Sequence, residues 1–514
     1  MQDASEYQAI LSHRQAGVGL HISSLPGHHG IGEIGREAYR YIDFMRRSGL
    51  SVWQFLPLGP TGYGDSPYQS LSTFAGNEML ISIGDLQETG LLRESETDAL
   101  TELPTHLVEF DQLIPMKSAL LMTAARRFSS VADSTMKSAF DQFRQQHEDS
   151  WLHDYALFRL LKARHDERAW TEWPAEFARH DEAAIRRVES EATVEIEQIK
   201  ILQFLFFDQW ARLRRYAHEK GVRLFGDMPL FIALDSADAW ADREIVRMDE
   251  NGNMDCVAGV PPDYFSEDGQ LWGNPLYNWD LQRNTGFQWW IDRLGAATAL
   301  ADIVRIDHFR GFEAHWAIPA DSDTARIGAW EPGVGDDVFN ALKQALGFLP
   351  VVAEDLGVIT PEVDALRDRH GIPGMVVLQF KLAEHEFQLA DVPENSVCYT
   401  GTHDNDTTLG WFLGGPDDMR SDEEVHAHQA KALAIAGCDA EDIPRGLIEA
   451  AFLTPARLAV APMQDFLGLG SEARFNIPGT RSNNWRWRCQ TAQLSEAICD
   501  QIAALVDNTD RNTT

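Results

Sequence analysis

The chain is short of basic residues. Its 44 Lys and Arg face 79 Asp and Glu, a net charge of −35 over 514 residues. A surface of that sign repels phosphate backbones and anionic lipids, so no nucleic acid and no membrane is expected among its partners. Cysteine is scarce and scattered: Cys256, Cys398, Cys438, Cys489 and Cys499, with no CxxC pair. Neither a disulfide framework nor a zinc site is expected from that spacing. No run of about 18 apolar residues is present to span a bilayer. The opening MQDASEYQAILSHRQAG has neither the basic nor the apolar part of a secretory signal. These absences predict a reduced, cytoplasmic protein; a monomer or a small homo-oligomer is expected. Also missing are a phosphate-binding P-loop, a dinucleotide glycine fingerprint after a strand, and a GxSxG nucleophile elbow. No fixed short repeat suggests a solenoid.

What is present is an alternation of apolar strands and helical patterns. Strands are predicted at Gly17–Ser24, Leu50–Leu58, Val222–Pro229, 301–306, Leu349–Gly357, Met375–Phe380, Val397–Asp406 and Leu458–Gly468. Runs apolar throughout belong to strands covered on both faces, as in parallel sheets. Helical patterns include Glu37–Ser48, Met116–Phe128, Trp151–His165, Ala183–Tyr216 and Phe287–Ala299. Eight strands separated by helices predict a (β/α)8 TIM barrel over residues 10–510, with its chemistry at the C-terminal rim. Residues 86–220 read as a helical insertion after the second strand. Residues 235–280 read as a long, irregular insertion after the third, carrying AGVPPDYFSEDGQLWGNPLYNW. So long a loop, rich in Tyr264, Phe265, Trp272, Tyr277 and Trp279, suggests a lid or substrate platform. A second Gly/Pro-rich loop, GPTGYGDSPYQS, displays Tyr63, Ser66 and Tyr68 at the end of the second strand.

The densest chemistry lies in VRIDHFRGFEAHWAIP, where Arg305, Asp307, His308 and Arg310 end an apolar strand. Buried charges are costly unless paired or in use, so the stretch is either a structural ion pair or a site. Glu354 ends the next strand and Asp404 the seventh. Spacings of 47 and 50 residues from Asp307 to Glu354 to Asp404 fit one or two barrel units, so the three acids can converge on one rim. Paired carboxylates are what glycosidic bond chemistry needs: one protonates the leaving oxygen, the other attacks the sugar or activates water. That chemistry requires no metal and no cofactor. A metal trio of His308, His403 and Asp404 is the competing reading of the same residues.

VRIDHFRG, VVAEDLG and YTGTHDND resemble the strand-end motifs of the α-amylase superfamily. LPLGPTGYGDSPYQ, GDMP, the AGVPPDYFSEDGQLWGNPLYNW loop and NWRWR at Asn484–Arg488 resemble its glycoside hydrolase family 77 branch, the 4-α-glucanotransferases or amylomaltases. The resemblance covers nearly the whole chain, in the compact form without a long N-terminal extension. It implies transfer of an α-1,4-glucan segment between maltooligosaccharides or starch- or glycogen-derived glucans. It implies Asp307 as nucleophile, Glu354 as general acid/base and Asp404 as the carboxylate that stabilises the transition state. Asp227, Arg305, His308 and His403 would line the sugar subsite at the cleaved bond, with Ser66 in the adjoining loop. Tyr63, Tyr68 and Trp272 would stack on further glucose units. An α-1,4-glucan hydrolase of the same superfamily stays open as the alternative. A glucan-binding protein on a degenerate barrel would lack a catalytic acid, and none is lacking here.

Overall fold

A computed structural model of the protein describes residues 11–262, 268–384, 386–415, 418–480 and 482–512, and only the backbone of Tyr63. Tyr264 and Phe265 of the expected lid lie outside the described residues. Among those residues, twelve strands form two sheets: β1 (Gln15–Gly19), β2 (Val52–Gln54), β3 (Arg223–Met228), β4 (Cys256–Val260), β5 (Gln270–Pro275), β6 (Ile303–Ile306), β7 (Ala314–Pro319), β8 (Ala329–Pro332), β9 (Val351–Ala353), β10 (Gly374–Val377), β11 (Ser396–Tyr399) and β12 (Leu458–Pro462).

Eight of them, in the order β10-β11-β12-β1-β2-β3-β6-β9, pair in parallel. The two ends of that order meet. The Ala353 amide donates to the Pro373 carbonyl at 2.8 Å, and the Met375 amide donates to Asp355 Oδ1 at 2.7 Å. A side-chain carboxylate thus stands in for a ladder acceptor, and the sheet becomes a TIM barrel. Val52, Phe225, Ile303, Val352, Val397, Tyr399, Leu458 and Val460 fill the interior. Alternate residues such as Val18, Trp53, Leu224 and Val304 pack outward against the helices. Both faces are apolar because both are covered. Gly17 faces inward, where a Cβ would come within 3.0 Å of the Val52 carbonyl and 3.1 Å of Val460.

The strand ends need refinement. β11 stops at Tyr399, so His403 and Asp404 sit in the loop beyond it and not on the strand. The helical pattern expected over Ala183–Tyr216 is two helices, Glu182–Glu191 and Thr193–Glu219, parted at Ala192 (φ −126°, ψ 27°). The two halves serve different apolar clusters, Ile185 and Val188 beside Phe158 and Trp170, Phe204 and Trp210 beside Phe128. One straight helix could not face both.

The segment 235–280 is not irregular throughout. It contains the helix Ala237–Ala241 and both β4 and β5, which join β7 and β8 in an antiparallel sheet of order β5-β4-β7-β8. Glycine and proline hid these strands. A Cβ at Gly259 would lie 2.3 Å from the Gln270 carbonyl, and Gly273 holds φ at 77°. A strand built on such residues lacks the apolar alternation that marks strands.

The chain end is tied to the barrel's lower rim. Arg511, fully buried, donates to the carbonyls of Phe452 (2.6 Å), Gln15 (2.8 Å), Thr454 (2.9 Å) and Ala456 (3.0 Å). It bridges the residues leading into β12 and the first residue of β1.

Candidate active site

The C-terminal ends of β2, β3, β6, β9 and β11 deliver the site. Asp227 is the fifth residue of β3 and Arg305 the third of β6, and the two strands pair with Asp227 opposite Arg305. Arg305 Nη1 donates to Asp227 Oδ2 at 2.6 Å, and Nη2 donates to Asp307 Oδ1 at 2.8 Å. The side chains of Asp227 and Arg305 are 1% and 5% exposed, whereas Asp307 is 31% exposed. One guanidinium therefore spans a buried carboxylate and one that faces the cleft. The planar fork of arginine suits this two-sided role. Tyr68 adds its hydroxyl to Asp227 Oδ2 at 2.8 Å. Ser66 sits two residues earlier and accepts the Tyr68 amide at 3.3 Å, bracing the loop.

β9 ends at Ala353, which puts Glu354 at the rim beside the end of β6. Its two oxygens accept the amides of His308 (2.7 Å) and Leu356 (3.0 Å). Burial nonetheless raises its pKa to about 8. The Arg305 charge and the two amides oppose that rise, while the Asp307 charge adds to it. Glu354 is only half-buried, but the groups around it crowd out enough water to penalise the anion. At neutral pH it carries a proton.

His308 follows Asp307 in a left-handed conformation, φ 53° and ψ 49°. Residues other than glycine hold such angles where the surroundings impose them, and they cluster at functional sites. Here the turn delivers the His308 amide to Glu354. Its ring lies 4.8 Å from Trp272 of β5, edge to face, and among the described residues its buried Nε2 has no hydrogen-bond partner. Burial lowers the His308 pKa to about 4; Asp307 opposes and Arg310 reinforces the change. The imidazole is neutral at pH 7.

Asp404 and His403 occupy the loop after β11. That loop is pinned by Asp465, whose carboxylate accepts the Thr400 hydroxyl (2.6 Å), the Thr408 hydroxyl (2.7 Å) and the Thr408 amide (2.7 Å). Tyr68 stacks on His403 with centroids 5.1 Å apart and planes 16° apart, and Trp485 closes on both at 6.0 and 5.9 Å. Asp404 Oδ1 lies 3.4 Å from His403 Nε2 and accepts Asn476 Nδ2 at 2.6 Å.

The structure thus brings Asp227, Arg305, Asp307 and Tyr68 into one bonded chain, with Glu354, His308, Trp272, His403 and Asp404 around it. The Tyr63 side chain lies outside the described residues. Asp355, adjacent to Glu354, faces away and pairs with Arg367. Asn476 and Trp485 escaped the sequence reading. Trp485 lies within the NWRWR motif, but an amide in a loop gives no signal in one sequence. Among the described residues, no group of three His, Cys, Asp or Glu is arranged to hold a metal ion, so His308, His403 and Asp404 are not gathered as a ligand trio. No described helix is long and apolar enough to cross a membrane.

The family model described as 4-alpha-glucanotransferase, glycoside hydrolase family 77, matches residues 20–494. The chain belongs to that 4-alpha-glucanotransferase family. A relative named 4-alpha-glucanotransferase from Thermus thermophilus is 46% identical over 506 residues, covering 97% of this chain and 99% of its own. A chloroplastic/amyloplastic 4-alpha-glucanotransferase of Solanum tuberosum is 40% identical, covering 96% of this chain and 85% of its own. Among solved structures, an amylomaltase from Streptococcus agalactiae in complex with acarbose superposes with a TM-score of 0.91 at 34% identity, covering 97% of this chain and all of its own.

Proposed function

We propose that this 4-alpha-glucanotransferase moves an α-1,4-glucan segment from a donor maltooligosaccharide or starch chain to the 4-hydroxyl of an acceptor glucan or glucose, through a glycosyl-Asp307 intermediate. The observation that carries the reading is the placement of Glu354, where burial raises its pKa to about 8, on the same rim as Asp307, whose Oδ1 is held by Arg305. One carboxyl group as acid and one as nucleophile is the pairing that retaining glycosidic chemistry uses.

In the first half, Asp307 Oδ2, not held by the arginine, attacks the anomeric carbon. The bond to the leaving sugar breaks, and Glu354 gives that sugar's oxygen its proton. In the second half, the Glu354 carboxylate takes the proton from the acceptor's 4-hydroxyl, whose oxygen displaces Asp307 from the anomeric carbon. Asp404 bonds sugar hydroxyls in contacts that tighten as the ring approaches the oxocarbenium-like state. Asp227, His308 and His403 complete the subsite, and Tyr63, Tyr68 and Trp272 offer rings to further glucose units.

We assign residues 86–220 as a supporting insertion and 235–280 as the substrate cover. The five cysteines are free, which fits a reducing compartment, and we place the enzyme in the cytoplasm.

The test is incubation with maltotriose. Transfer gives glucose and a ladder of longer and shorter maltooligosaccharides. Shorter products alone would assign the chain to hydrolysis. Asp307→Asn should leave less than about 1% of the rate with folding intact, since the amide keeps the shape but cannot form the ester.

A further inference from the structure

Asp404 has a dedicated partner. Asn476 Nδ2 donates to its Oδ1 at 2.6 Å, and Arg474 Nη2 donates to its main-chain carbonyl at 2.9 Å. The main chain around Asn476 is itself held in place. Arg474 Nε donates to the Asn476 carbonyl at 2.9 Å. The preceding Phe475 carbonyl accepts the Trp485 amide at 2.7 Å, and the following Ile477 amide donates to Asn484 Oδ1 at 3.0 Å. Both flanking bonds come from the first two residues of NWRWR.

The rest of that motif ties the brace to the body of the protein. Arg486 pairs with Glu109 at 2.5 Å, and the Trp487 carbonyl accepts the Ser24 hydroxyl at 2.7 Å. Arg488 is buried and donates to the carbonyls of Leu25, Gly27 and Pro104. Trp485 keeps φ at 64° while packing on Phe475, Tyr68 and His403. An aromatic residue holds that angle only where its surroundings require it.

We infer that Asn476 is a positioning residue for Asp404, and that Asn484–Arg488 serve to hold it there. Asp404 sits in a loop and is 46% exposed. Without a fixed donor its carboxylate would sample several rotamers, only one of them aimed at the sugar. A donor fixed in advance costs no reorganisation when charge develops on the ring. The inference rests on the role proposed for Asp404.

A double-mutant cycle tests it, using an activated maltosyl fluoride donor so that weak variants remain measurable. Asn476→Ala should lower kcat about 10- to 100-fold, with KM changed less than about 3-fold and the melting temperature nearly unchanged. In an Asp404→Asn background the same change should cost less than about 2-fold, because the negative charge that Asn476 orients is already gone. Equal losses in both backgrounds, or a loss confined to KM, would overturn the inference. Wild-type rates in Asp404→Asn alone would instead overturn the role of Asp404. Should Asn476→Ala fail to fold, the isosteric Asn476→Asp carries the test. It sets two carboxylates against each other at pH 7, and its rate relative to wild type should recover toward pH 5 as one of them gains a proton. A ratio independent of pH would refute the contact's role.

Discussion

Replacing Glu354 by Gln separates the cost of holding this acid from its use. Burial raises the Glu354 pKa from an ordinary 4.5 to about 8, so the folded state favours the protonated form. The sign follows by linkage: the contribution is fully present below about pH 4.5 and is lost as pH rises through about 8. The span of about 3.5 pH units corresponds to about 5 kcal/mol, at 1.36 kcal/mol per unit. Gln does not titrate, so the variant should gain on wild type across that window by an amount of this order. One of the amides of His308 and Leu356 will face the new N–H2 group, which subtracts about 1–2 kcal/mol at every pH. The slope with pH is therefore the diagnostic quantity and not the value at one pH. For 514 residues, at about 2.1 cal/mol/K per residue, 5 kcal/mol amounts to about 4–5 °C in Tm. Scanning calorimetry of both proteins from pH 5 to pH 9 reads it. A Tm difference that stays flat over that range would show that Glu354 is not held protonated, and the acid/base assignment would fall with it. The same group sets a kinetic limit: kcat/KM should fall above about pH 8 as the acid loses its proton.

Two further outcomes are expected. Trp272→Ala should raise the hydrolysis-to-transfer ratio several-fold, read as free reducing ends per glucose transferred from maltotriose, because its ring covers the site from β5 beside His308; an unchanged ratio in a folded variant would remove β5 from water exclusion. The net charge of −35 destabilises the compact state by self-repulsion, so Tm should climb as KCl rises from about 0.02 M to about 0.5 M; a flat or falling Tm would mean that the acidic groups are locally compensated.

The barrel was legible because each of its strands is buried on two faces, and Val52, Phe225, Val304 and Val352 announce that without help from neighbours. The acids were legible for a related reason. Asp307 and Glu354 interrupt or end apolar runs, and a charge there costs too much to be incidental. The antiparallel sheet was not legible. Gly259 and Gly273 are demanded by strand approach and backbone angle, and such residues write a turn signal into the sequence even where strands form. Asn476 was invisible for a different reason: its role depends on a contact with a residue 72 positions away, and nothing in its local composition records that contact. The break at Ala192 was hidden because periodicity reports a helical face but not which of two cores the face will meet.

The seam of the barrel has a consequence for how the protein is made. β1 ends at Gly19, yet its partner β12 begins at Leu458, and the Arg511 side chain bonds to Gln15. During translation the first strand must wait with an open hydrogen-bonding edge while more than four hundred residues emerge. Helices and half-barrels can form in that interval, but closure cannot. The exposed β1 edge is therefore the natural place for a nascent chain to mispair with another copy, and for a chaperone to bind. Slow ring closure between β1 and β12, with its high contact order, is the step that should limit refolding.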